Sequence, residues 1–154
     1  EISTEVEQLR DEFKLPGMKV LQFAFGSDLS ESSHIPHNFT SQNCIVYSGT
    51  HDNNTLVGWY DRDVEQQTKE RITRYFDRQI DKKNIHQEFI RLALSSTAKI
   101  AIVPIQDVLG LNEEARMNIP GNANGNWLWR LDLEKLKAIK HWLADITSIY
   151  GRTK

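Results

Sequence analysis

Cysteine is almost missing from this chain of 154 residues: Cys44 stands alone, which excludes an intrachain disulfide framework and fits a reducing compartment. Charge of one sign is missing as well. Nineteen lysines and arginines face 21 aspartates and glutamates, for a net charge of -2, and the basic residues are scattered apart from short pairs such as Lys82-Lys83. That balance excludes a phosphate-tracking stripe and with it a nucleic-acid partner. The longest apolar run, Ile100 to Ile105, is far below the roughly 18 to 20 residues of a bilayer span, so no membrane insertion is expected. No charged segment followed by an apolar one opens the chain, and a secretory signal is therefore not expected in it.

Several chemistries are missing by motif. There is no Gly-x-Ser-x-Gly elbow for a serine nucleophile, and Cys44 opens an apolar run rather than an exposed turn. The loop Gly121-Asn122-Ala123-Asn124-Gly125 has neither the lysine nor the Ser/Thr of a phosphate cradle, and reads as a close-approach loop for a neutral ligand. His34 and His37 have a spacing seen in metal sites, but no third ligand follows and Pro36 marks an exposed turn, so no metal is expected. The glycosylation triplets at Asn38 and Asn53 carry no weight without secretion.

What is present describes a globular α/β chain. Hydrophobic residues make up 39% and charged residues 26%, with four tryptophans, enough for one buried core. A complete (β/α)₈ barrel, at about 250 residues, is out of reach of this length. Thr4-Glu5-Val6-Glu7 has the capping-box pattern, with Val6, Leu9 and Phe13 on one helical face. Met18 to Phe25 reads as a strand covered on both faces, followed by a long polar loop to Asn43 that should not be packed interior. Cys44 to Ser48 is a second strand and Lys99 to Ile105 a third. Helices are expected over Val64 to Ile80, from a cap at Asn84, and along the face Leu133, Leu136, Ile139, Leu143, Ile146 and Tyr150.

Strands alternating with helices imply a parallel sheet, whose ligands bind beyond the carboxyl ends of the strands. Three polar clusters stand there: Ser27-Asp28, His51-Asp52 and Gln106-Asp107. His51-Asp52 pairs an imidazole with a carboxylate able to hold a polar substrate from two directions; the competing reading is that Asp52 or Asn54 caps the next helix. Trp127 and Trp129 form either a sugar-stacking wall or core. From the residues alone, the ligand is better taken as a neutral polyhydroxyl compound than as a polyanion.

Four segments together resemble the 4-α-glucanotransferases, the amylomaltase or disproportionating-enzyme family: Leu9 to Phe25, Tyr47 to Tyr60 (YSGTHDNNTLVGWY), Ala98 to Leu111 and Glu114 to Leu131 (EARMNIPGNANGNWLWRL). The resemblance implies a retaining transglycosylase that moves α-1,4-glucan segments between maltodextrins through a covalent glycosyl-enzyme, with no cofactor. On it, Asp52 matches the carboxylate that stabilises the transition state, His51 its neighbour and Asn118 a substrate-contacting loop. Trp127 and Trp129 brace that loop, and Asp28 is a candidate for a neighbouring subsite. Asn54 stands where the family commonly has Asp, and Asn122-Ala123-Asn124 fills the second loop unusually. Both departures affect subsite contacts rather than chemistry.

The family's nucleophile Asp belongs to an Arg-x-Asp motif at an earlier barrel strand, and its acid/base Glu to a Glu-Asp-Leu-Gly motif; no strand here ends in the first, and the second does not occur. Residues 1–154 are therefore expected to be the C-terminal part of one (β/α)₈ barrel, about its last three strands with their helices. No separate second domain is expected. The partners are a maltodextrin and the N-terminal remainder of the same enzyme, without which the chain should be inactive. The resemblance fits a bacterial cytoplasm or a plastid stroma. The reading from another class is a non-catalytic glucan-binding or scaffold fragment that pairs with an upstream partner.

Overall fold

The computed structural model describes residues 3–153. Helix α1 (Thr4–Glu12) is capped in position by Ser3, one residue earlier than the capping-box reading placed it, because Thr4 is already helical. Its apolar face is uncovered: Val6, Leu9 and Phe13 are 54%, 55% and 67% exposed. Lys14, at a φ of 54°, reverses the chain into β1 (Gly17–Val20).

The apolar run expected to be extended to Phe25 leaves the strand conformation at Leu21 and turns through a 3₁₀ segment, Leu21–Phe23. Packing decides this. Leu21, Ala24 and Phe25 are all buried in the main core, which a flat strand with alternating faces could not achieve. Nor is β1 covered on both faces, since Met18 is exposed. The long loop is better anchored than its composition implied. Ile35 is fully buried, and Asn38 Nδ2 donates to the carbonyls of Leu29, Ser30 and Ser32.

Strand β2 (Cys44–Tyr47) is central in a three-stranded parallel sheet of order β1-β2-β3, with Lys19 opposite Val46 and Val46 opposite Ala101. A short α2 (Leu56–Gly58) runs into a π-helical turn, Trp59–Asp63, and then α3 (Gln66–Phe76). The last is shorter than its periodicity suggested, because Asp77 takes a left-handed conformation and ends it. Asn84 precedes α4 (Ile85–Ser95), but its Oδ1 accepts from Asp81 N–H instead of capping the helix. Strand β3 covers only Ile100–Ile102, since Pro104 opens the short α5 (Ile105–Val108), and its two isoleucines are partly exposed.

The main core lies between the sheet and α2 to α4, where the Phe25 and Phe89 rings meet at 5.2 Å between centroids. A second cluster, Ile90, Leu94, Val108 and Ile146, joins α4 and α5 to α6 (Leu133–Ile149). Arg152 secures the end of the chain by donating to the carbonyls of Leu94, Ser96 and Ala98. No helix among the described residues is long and apolar enough to cross a membrane.

Candidate functional site

Beyond the carboxyl end of β2, the chain turns away from the sheet over residues 49–55. The turn is knit locally: Thr50 N–H and its hydroxyl both donate to Asn53 Oδ1 at 2.8 Å, and Asp52 N–H donates to Thr50 Oγ1 at 3.3 Å. A small first residue is required, because a Cβ on Gly49 would come within 2.9 Å of Gln22 Nε2. That amide donates to the Asn54 carbonyl at 2.8 Å, tying the loop to the end of β1. Gly58 is constrained in the same way by Asn54 Oδ1, 2.5 Å from where its Cβ would stand.

The helix-cap reading of Asp52 and Asn54 is corrected by these contacts. Thr55 is the N-cap of α2, its hydroxyl accepting from Gly58 N–H at 3.1 Å, and the Leu56 N–H is taken by Asp107 at 2.7 Å. Asn54 instead donates from Nδ2 to Asp63 at 3.1 Å. The Leu56 and Gly58 N–H donors at the helix start are thus accepted by Asp107 and Thr55 without Asp52, whose side chain stays exposed.

Asp52 meets the second predicted loop. Asn118 Nδ2 donates to Asp52 Oδ1 at 2.6 Å, His51 Nε2 lies 3.4 Å from the same oxygen, and Arg116 donates to the Asp52 carbonyl at 2.7 Å. Arg116 Nε also donates to the Asn118 carbonyl at 2.8 Å, so one guanidinium aligns both loops. The 117–127 loop is held by Asn126, which accepts from Ile119 N–H and donates to the Ile119 and Asn122 carbonyls. Gly121 and Gly125 adopt positive φ there and are open to solvent. Trp127, at a φ of 63°, places its half-exposed indole 5.2 Å from the His51 ring. Trp129 is half-buried, and Arg130 donates to the Trp127 and Trp129 carbonyls.

Thr50, His51, Asn54, Gln106, Arg116 and Trp127, together with Asp107, line a cavity of about 160 Å³. Of the third predicted pair, Gln106 donates to the Ala115 carbonyl, whereas Asp107 is buried and serves the loop from beneath. Asp28 is not brought to this cluster. Its carboxylate accepts from the Ser30 hydroxyl and N–H, which hold its pKa below the usual carboxylate value, in a separate depression beside Arg71 and Arg74. His34 and His37 also diverge: His34 Nδ1 accepts from Val20 N–H, while His37 Nδ1 lies 3.2 Å from the Tyr75 hydroxyl. Burial lowers the pKa of His34 and favours the neutral ring that this acceptor role needs.

Gln22, Ser48 and Arg116 are site residues that the sequence reading did not single out. Gln22 had a signal, as the one uncharged polar residue in an apolar run. Ser48 reads as the last residue of a strand, and Arg116 stands inside a motif that gives it no separate role.

The family model described as 4-alpha-glucanotransferase matches residues 1–135. The chain belongs to the 4-alpha-glucanotransferase family. It is 47% identical over 152 residues to the 4-alpha-glucanotransferase of Synechocystis sp., covering 98% of this chain and 30% of that protein. The chloroplastic/amyloplastic 4-alpha-glucanotransferase of Solanum tuberosum is 47% identical over 155 residues, covering 98% of this chain and 26% of the relative. The amylomaltase of Streptococcus agalactiae, solved in complex with acarbose, superposes with a TM-score of 0.92 at 33% identity, covering 100% of this chain and 31% of its own. The chain thus spans about a third or less of the length of these 4-alpha-glucanotransferases.

Proposed function

We propose that the chain is the C-terminal part of the (β/α)₈ barrel of a 4-α-glucanotransferase and supplies the carboxylate that stabilises its transition state. The observation that carries this reading is the convergence of Asn118, His51 and Arg116 on Asp52 at the end of a parallel strand. An exposed carboxylate held by an amide is prepared to accept hydrogen bonds from sugar hydroxyls. Those bonds strengthen as the ring flattens toward an oxocarbenium ion, so the stabilisation is selective for the transition state.

The remaining chemistry belongs to the N-terminal remainder of the same enzyme. A nucleophile Asp and an acid/base Glu, typically about 5 to 5.5 Å apart in retaining enzymes, would form and resolve a glycosyl-enzyme, with a maltodextrin as donor and acceptor. The first three strands described above would be the last three of the barrel, and earlier elements would cover the exposed faces of α1 and β3. Residues 1–154 belong to one domain in this reading. The protein would work without a cofactor in a bacterial cytoplasm or a plastid stroma, and Asp28 would serve a neighbouring subsite.

The test is to incubate the chain with maltotriose, alone and joined to an upstream remainder. Glucose plus longer dextrins only from the joined protein is the expected result; turnover by the chain alone overturns it. Saturable maltoheptaose binding without turnover in either form would instead favour a glucan-binding module.

A further inference from the structure

Asp107 is 2% exposed, yet it has no cationic partner among the described residues. Both of its oxygens are used. Ser48 Oγ donates to Oδ2 at 2.7 Å and Leu56 N–H donates to Oδ1 at 2.7 Å. These two donors bracket the 49–55 loop, one at the end of β2 and the other at the start of α2. Ser48 N–H is bonded in turn to the Ile102 carbonyl, so the base of the loop is tied to β3 as well.

A buried carboxylate is an expensive way to accept two hydrogen bonds. Desolvation pushes its pKa up to about 6, against the opposing influence of Leu56 N–H and the Ser48 hydroxyl. What it offers that a neutral side chain does not is two acceptors in one rigid plane. An amide keeps one acceptor for Leu56 but turns an NH₂ toward Ser48, and a methyl group offers nothing. The charged and titratable groups that line the same cavity are His51 and Arg116. From α4, packed on α5, come His86, whose ring abuts Gly110, and Glu88, which is paired with Arg78.

We propose that Asp107 is the positioning residue for Asp52: by gripping Ser48 and Leu56 it sets the span and tilt of the loop 49–55, and hence where the Asp52 carboxylate meets Asn118 and the sugar. The proposal rests on the reading of Asp52 as the stabilising carboxylate. Gln22 and Arg116 hold the loop by its Asn54 and Asp52 carbonyls, whereas Asp107 alone bridges its two roots among the described residues.

The test uses the full-length enzyme containing this chain, with Asp107→Ala, Asp107→Asn, Ser48→Ala and, as reference, Asp52→Asn. Turnover of maltotriose is measured against pH, together with amide exchange across residues 49–56. Asp107→Ala should lower kcat by about 10-fold or more with KM within about twofold, the signature of an interaction realised in the transition state. It should also accelerate exchange at Leu56. Asp107→Asn should give a kcat between those of Asp107→Ala and the native enzyme, because its oxygen still serves Leu56 while its NH₂ replaces the acceptor that Ser48 uses, and exchange at Leu56 should rise less than in Asp107→Ala. Ser48→Ala removes a donor that favours the charged carboxylate, so the acid limb of kcat should move to higher pH.

A folded Asp107→Ala protein with native kcat and native protection over 49–56 overturns the proposal. Should that variant not fold, Ser48→Ala and Asp107→Asn decide: an unmoved acid limb and unchanged exchange in both overturn it equally. Native turnover by Asp52→Asn would remove the underlying reading, and is distinguishable because amide exchange does not depend on turnover.

Discussion

The carboxyl ends of the strands and the outer faces of α1 and β3 contrast in how far the chain satisfies itself. Around Asp52, polar groups from the 3₁₀ turn after β1, the β2 end, α5 and residues 116–127 are hydrogen-bonded, and Gln22, Asp107 and Arg116 each anchor a backbone group. On the outer faces, Val6, Leu9, Phe13, Met18, Ile100 and Ile102 are all more than 40% exposed. One region is knit together by hydrogen bonds, with Asn54 Oδ1 left unpaired, and the other is apolar without cover. Parallel strands are normally buried on both faces, and in the proposed function the upstream remainder would cover this region. The difference teaches that the Asp52 loop is held by long-range contacts within this chain, whereas under the proposed function the stability of its platform would depend on further protein.

The largest effect should come from the hydrogen-bonded region. In the full-length enzyme, Asp52→Asn should leave maltodextrin binding nearly intact and cut kcat by on the order of 4 kcal/mol or more of transition-state stabilisation. Kinetics on maltotriose with a parallel binding titration checks both halves, and native turnover would make Asp52 an ordinary loop residue.

The uncovered region is tested by Phe13→Ala. If the remainder of the protein covers α1, the denaturation midpoint of the full-length enzyme should report a loss of about 3 kcal/mol. A change within about 0.5 kcal/mol would show that α1 faces solvent and would dissolve the contrast.

The buried root of the loop should titrate unlike any exposed carboxylate. Carbon NMR of the Asp107 carboxyl should give a midpoint near 6, with burial as its main cause. Because that value lies above the 3.8 of an unperturbed Asp, the folded state binds the proton more tightly than the unfolded one. Asp107 therefore contributes stability that is fully present below about pH 4 and lost as pH rises through about 6. A midpoint near 4 would mean that water reaches it.

The smallest effect is expected at Asn118→Ala, which removes an exposed charge-assisted bond of 2.6 Å to Asp52. About 1 kcal/mol, or roughly fivefold in kcat/KM, is the expected loss. No loss at all would show that the two loops align through Arg116 alone.

Much of this was legible in the sequence. Three strands, their parallel pairing and the placing of His51-Asp52 at a strand end follow from apolar runs separated by polar turns, and the quoted motifs brought Asn118 to the same function. The element limits were less legible. Leu21 leaves β1 because Phe25 must reach a core that Phe89 shares, a contact between residues far apart in the chain. Asp28 follows the rule of polar residues near strand ends, yet its place is set by the Ser30 turn, in a depression apart from the cavity.

What the sequence determined by itself is the class of the fold, the family and the position of the carboxylate proposed to stabilise the transition state, since periodicity and motif are local in the chain. What only the tertiary structure decided is how that carboxylate is held. Gln22, Asp107 and Arg116 lie at three distant points of the chain, and a hydrogen bond between such groups exists only once packing has brought their elements together. Likewise, sequence could mark Phe13 as apolar, but whether it is covered depends on which surfaces meet, because burial is a property of the assembled fold rather than of the residue.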